Sequence, residues 1–234
     1  MTWLHARRIA AGVWRRISSD VALSTAAAVL MSAAALGTSW STFESTMWGQ
    51  RQQDAAVWSG KVRMRAISAE MKGMQLRTID VGLFSSWLDA YKTGHGELAR
   101  FYESRFRSEF RPAFDEWMTT KPFTNPGSPP SPFQMAEYRL KSDAEFGELT
   151  REAEDAGAAA MAASAHAAEY MLNTVIFAIV LFFSGTTHDA SRHRATRVIM
   201  MIIALGAAVM AGANLVRYPR TGRESDVATT AVTR

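Results

Sequence analysis

The chain has 234 residues, of which 48% are hydrophobic and 21% charged, with no cysteine and a formal net charge of +4. That length admits one or two cores, and a mean hydropathy near zero argues against a wholly membrane-embedded protein. Nucleic acid is a poor partner, because the excess arginine lies at the ends of uncharged runs and not on a basic face of a folded domain.

Residues 1–20 carry Arg7, Arg8, Arg15 and Arg16 against Asp20. At 100° per residue, Trp3, Ala6, Ala10, Val13, Trp14 and Ile17 share one sector and the arginines Arg8, Arg15 and Arg16 lie away from it. This suits a helix in the inner membrane interface whose arginines meet anionic lipid headgroups; a disordered basic tail is the other reading. Residues 21–43 are uncharged, near the roughly 20 residues that span a bilayer. The run is long for a cleavable signal peptide, despite the small residues of SAAALG, and helical patterning continues past it.

After this first span, Ala55, Trp58, Val62, Ala66, Ala69, Gly73, Leu76, Ile79, Leu83, Trp87 and Tyr91 recur in steps of three and four, predicting a long helix that either runs through or breaks at Gly73. KTGHG at 92–96 supplies a turn. A second helix is expected over 97–119, with an aromatic face from Leu98 to Met118 and Pro112 bending it or ending it early. Residues 121–133 hold five prolines and predict an extended arm able to run back along that helix. A last outer helix shows Ser142, Phe146, Leu149, Ala153, Ala156, Ala160, Ala163 and Ala167 as a heptad seam leading into the second span.

The second and third spans are expected at 170–187 and 198–216, around a turn at 188–197 that carries Arg192, Arg194 and Arg197. Basic residues are retained on the cytoplasmic side. The 15 basic and 18 acidic residues of 42–169 give a net of −3, so the N-terminus and the turn are expected inside and 44–169 outside, with 217–234 as an extracytoplasmic tail. Trp40, Tyr170 and Tyr218 fall at the outer span ends, where aromatic rings favour headgroups. The location so predicted is the cell inner (plasma) membrane.

Two polar and small-residue patterns stand out in the spans. Glu169, Asn173, Asn214 and Arg217 are expected to pair across the second and third spans, against simple interfacial hydration. Ser24, Ala28 and Ser32 in the first span, and Ala204, Ala208 and Gly212 in the third, repeat every four residues and offer close helix packing, a pattern that alanine-rich helices also produce by chance. Among chemistry-bearing groups, His188, Asp189 and His193 form the nearest cluster, and a solvated cytoplasmic turn explains them better than a metal site. No phosphate loop or nucleophile elbow occurs, so neither a cofactor nor catalysis is expected.

RFRSEFRPAFDEWM at 105–118, KPFTNPGSPPSPFQMAEY at 121–138 and YMLNTVIFAIVLFFSG at 170–185 resemble a family of uncharacterised bacterial integral membrane proteins, over about residues 50–216. The resemblance implies architecture and carries no activity or ligand. A helical bundle between two spans is also similar in plan to chemoreceptor sensor domains, from which this sequence departs by lacking a cytoplasmic signalling domain. The fold expected is an all-α membrane protein, three transmembrane helices with an extracytoplasmic antiparallel bundle of three to four helices and a Pro-rich arm inserted between the first two. The function expected is non-enzymatic: self-assembly, or binding of another membrane or envelope protein. The second reading is a subunit of a homo-oligomeric channel or transporter.

Overall fold

A computed structural model describes residues 3–187 and 193–221, without the side chains of 3–20. The headgroup candidates Arg8, Arg15, Arg16 and Arg192, the His188 and Asp189 pair, and the tail from 222 on lie outside the described side chains. The protein is all-helical, 84% helix, with no strand among the described residues. Its elements are α1 (Trp3–Lys92), α2 (Gly96–Ser104), α3 (Arg111–Thr119), a 3-10 turn (Pro132–Gln134), α4 (Lys141–Thr186) and α5 (Arg194–Arg217). Helices α1, α4 and α5 each contain a stretch long and apolar enough to cross a membrane.

The chain divides into two compact units, one of Met1–Asp54 with Ala159–Arg234 and one of Ala55–Ala158. In the first, Ala34 packs with Ile176, Phe177, Val180 and Ala211, supported by Leu30, Ala207 and Ala208. Only 11% of the apolar window in α1, 33% in α4 and 11% in α5 is buried against protein. Val29, Leu36, Phe182, Ile202, Val209 and Val216 face outward. Core helices of a water-soluble protein bury most such side chains, so these helices call for an apolar surrounding.

In the second unit, Val62, Ala66 and Ala69 of α1 meet Leu149 and Ala153 of α4. Small side chains here let the axes approach, and Ser59 Oγ donates to the Ala153 carbonyl at 2.8 Å. Beyond this seam lies an aromatic core of Phe84, Trp87, Phe106, Phe110, Phe114 and Trp117. Its rings meet mostly edge to face, as between Trp87 and Phe114 at 4.7 Å, the geometry that brings positive ring edges to negative faces. The aromatic face at 98–118 is therefore chiefly core.

Two expectations need correction, the single helix at 97–119 and the phase of the α1 stripe, and two open ones are resolved. Helix α1 does not break at Gly73: a Cβ there would meet Asp143 Oδ1 and Ser142 Oγ at 3.0 Å, so glycine permits close approach of the start of α4 and makes no turn. The single helix at 97–119 is two, α2 and α3, and Pro112 opens α3 instead of ending α2, since proline's missing N–H is harmless in a first turn. The proline arm folds onto α3, with Trp117 Nε1 donating to the Pro129 carbonyl at 2.7 Å. The stripe on α1 is also rotated at its ends. Trp58, Ile79 and Tyr91 are about half exposed, while Ser59, Asp80 and Ala90 are buried in their place. Of the buried positions, 59, 62, 66, 69, 73, 80, 87 and 90 follow a 3.5-residue repeat, which drifts about 20° per heptad from the straight-helix 3.6, and Phe84 falls beside it.

Candidate functional site: two polar networks and an exposed apolar face

Within the span unit, polar side chains gather where α1, α4 and the chain after α5 meet. Asn173 is fully buried and donates through Nδ2 to Ser41 Oγ at 3.2 Å, and Asn214 Nδ2 donates to Asn173 Oδ1 at 3.4 Å. Tyr170 OH and Trp48 Nε1 both donate to the Pro219 carbonyl, at 3.0 and 3.3 Å. Arg51 Nη2 donates to the Thr221 carbonyl at 2.5 Å and its guanidinium lies 5.0 Å from the Trp48 ring centre. Glu44, 2% exposed, receives the Thr221 N–H at 3.1 Å and its hydroxyl at 3.0 Å on one oxygen. These bonds tie residues 219–221 to α1 and α4. They satisfy polar groups that the packing of these elements buries.

Of the four residues expected to pair across the spans, the structure joins Asn173 and Asn214. Glu169 turns instead to His166 on its own helix, with Nδ1 and Oε2 3.1 Å apart, and forms no ion pair with the exposed Arg217. A histidine one helical turn away is the nearer partner. Tyr170 is fully buried against Tyr218, so it packs inside and does not sit in a lipid-facing belt; Trp40 remains 44% exposed beside Phe43.

The small-residue faces are shifted too. Ala28 and Ser32 are exposed, with Ser32 Oγ bonded to the Ala28 carbonyl of its own helix and Ser24 Oγ to that of Val21. The buried face of α1 is Ala27, Ala34 and Ser41, seven residues apart. In α5, Ala204 is buried and Ala208 half-buried, but a Cβ on Gly212 would meet nothing within 4 Å, and Ala211 takes the contact. A seven-residue repeat keeps facing its partner where a strict four-residue one winds away. The close approach in the spans lies at Gly37, where a Cβ would overlap the Phe177 ring, with Cε1 at 2.6 Å. Nothing in an alanine-rich helix distinguishes that glycine from its neighbours. Arg197 Nε donates to the Thr187 carbonyl at 2.8 Å, so this expected headgroup ligand caps the end of α4, whereas Arg194 is exposed.

In the 55–158 unit a second network surrounds Asp80. Its Oδ2 accepts from Arg107 Nη1 at 2.9 Å and from Tyr138 OH at 3.0 Å. Arg107 Nη2 also donates to Glu109, whose other oxygen accepts the Lys141 N–H at 3.2 Å and caps α4. Burial raises the Asp80 carboxyl above its ordinary 3.8, outweighing the lowering effects of Tyr138 and Arg107. Burial and the neighbouring Asp80 push the Tyr138 hydroxyl up as well, keeping it a neutral donor. The network binds α1 to the 105–110 bend and to the start of α4. Among the described residues, no group of three or more His, Asp or Glu is placed to hold a metal.

The remaining feature is apolar. Opposite its α4-facing side, α1 exposes Val57, Met64, Ile67, Met71, Met74 and Val81, with Met64 at 65%, Met71 at 57% and Met74 at 58%. No family model, no curated protein and no solved structure matches this chain.

Proposed function

We propose that this is a non-enzymatic integral membrane protein of the cell inner (plasma) membrane, its N-terminus cytoplasmic and its 44–169 segment and C-terminus extracytoplasmic. There the helical segment serves self-assembly or partner binding, in an envelope scaffold or sensory role. One observation carries this reading: α1 presents large apolar side chains from Val57 to Val81 on the face turned away from its own core. Exposed apolar surface of that extent marks an interaction site more often than chance exposure. The two polar networks support it, because Asp80, Arg107, Glu44 and Thr221 are consumed in bonds that join helices and do not converge on an open cleft.

Purification in mild detergent with mass measurement, followed by ion-flux assays in liposomes, tests the proposal. A monomer or dimer without flux supports it. A closed ring of many copies with flux overturns it in favour of a channel subunit.

A further inference from the structure

We infer that two copies of this chain pair in parallel and in register through the exposed face of α1, Val57 meeting Val57 and Met71 meeting Met71 across a twofold axis. The inference deepens the proposed function and rests on it. Val57, Gly60, Met64, Ile67, Met71, Met74, Thr78 and Val81 follow one another in strictly alternating steps of four and three, and all are exposed. That is the a/d pattern of a coiled coil sustained over more than three heptads, here on a face left exposed among the described residues. The same helix presents Ser59, Val62, Ala66, Ala69 and Gly73 to α4, at the c and f positions on the opposite side. Helix α1 thus carries two seams, of which the described residues fill one.

Three arguments select a second copy as the occupant. First, α1 is one continuous helix that contains both the first apolar stretch and the seam, so copies inserted alike in one bilayer point their seams the same way. Like positions then face one another, as a parallel dimer requires. Second, the flanking charges permit it. In parallel pairing each g position faces the e position five residues on in the other chain: Arg63 faces Ser68, Glu70 faces Gln75 and Arg77 faces Gly82. No like charges meet, and Arg77 is already held by Asp143 at 2.5 Å. Third, six half-exposed apolar side chains offer on the order of 600 Å² per copy, approaching the roughly 800 Å² of a standard interface, and confinement to one bilayer raises the effective concentration. Methionine at Met64, Met71 and Met74 fills such a seam without demanding one shape, while Gly60 and Thr78 thin it.

The chain has no cysteine, so single replacements report cleanly. Val57→Cys, Met64→Cys, Met71→Cys and Val81→Cys are placed on the seam, and Arg65→Cys and Lys72→Cys beside it. Each full-length variant is oxidised in native membranes and, separately, labelled with a membrane-impermeant maleimide on intact cells. A disulfide needs Cα atoms within about 7 Å, so seam variants form a band at twice the monomer mass and the flanking pair do not. Adding Met71→Glu and Met74→Glu removes that band from Val57→Cys. Equal or absent bands across all positions, with Lys72→Cys labelled from outside, overturn the seam and leave the proposed function standing. Failure of Lys72→Cys to label until the membrane is permeabilised overturns the proposed function and the inference built on it.

Discussion

Asp80 has one carboxylate oxygen bonded to both Arg107 and Tyr138, while its buried Oδ1 has no partner among the described residues. Because burial raises its pKa, the folded chain holds the proton more tightly than the unfolded chain does. The stability this group contributes is therefore greatest below the ordinary carboxylate value of 3.8 and is lost as pH rises through the folded value. One proton sets a ceiling of about 1.4 kcal/mol per pH unit on that slope. Asp80→Asn is expected to flatten it, read as denaturant midpoints at a series of pH values from acid to neutral; parallel wild-type and variant curves would refute the assignment. At Gly37 the issue is volume. Gly37→Ala forces the Phe177 ring to move and is expected to cost about 1–3 kcal/mol, as overpacking does. In a Phe177→Ala background the same methyl should cost much less, and an unchanged cost in that cycle would show that the ring is not what it meets.

At the scale of elements, what the sequence disclosed is what repeats locally. Phe146, Leu149, Ala153, Ala156, Ala160, Ala163 and Ala167 are all buried or half-buried along α4, as their heptad spacing indicates. Asn173 and Asn214 could be placed because antiparallel spans bring equal depths together. The misplaced stripe on α1 has one cause, a period of 3.6 applied where packed helices keep 3.5, which put Ile79 where Asp80 belongs and hid the Asp80 network altogether. Glu44 escaped notice for a different reason: its partner Thr221 is 177 residues away, and no local pattern announces a contact made through a returning chain. The same contrast predicts energetics. Asn173→Leu and Asn214→Leu share a hydrogen bond and should couple, by about 0.6 to 1.7 kcal/mol, in reversible unfolding from detergent. Glu169→Ala and Arg217→Ala share no ion pair and should add to within about 0.5 kcal/mol. Coupling in the second pair and additivity in the first would reverse the assignment of which residues hold the spans together.

For the whole molecule, the surface decides more than the core. Leu36, Ile202, Val209 and Val216 are 74%, 64%, 66% and 82% exposed on the helices apolar enough to cross a membrane. In water, each such side chain left uncovered forgoes about 1.5–3 kcal/mol of burial, and three adjoining helices of this kind would aggregate. In hydrocarbon the same surface costs nothing, and the helices' own hydrogen bonds satisfy the backbone. Charge then supplies the argument for the proposed orientation. Four arginines before the first stretch and three in the turn after the second outweigh the acidic residues beside them, whereas the segment between is net −3. Holding the two arginine-rich segments on one side would require an even number of crossings between them, and the apolar stretches of α1 and α4 are two candidates for these. Reporter fusions ending at His95 and at His188 are accordingly expected in opposite compartments, with a fusion at Arg234 sharing the compartment of His95. Under the proposed orientation, replacing Arg192, Arg194 and Arg197 together with Gln should leave the His95 reporter outside, because the arginines before the first stretch would still orient it, while loosening retention of the His188 reporter. Reporters at His95 and His188 in one compartment would mean that α4 does not cross, and the orientation argued from charge would fail with it.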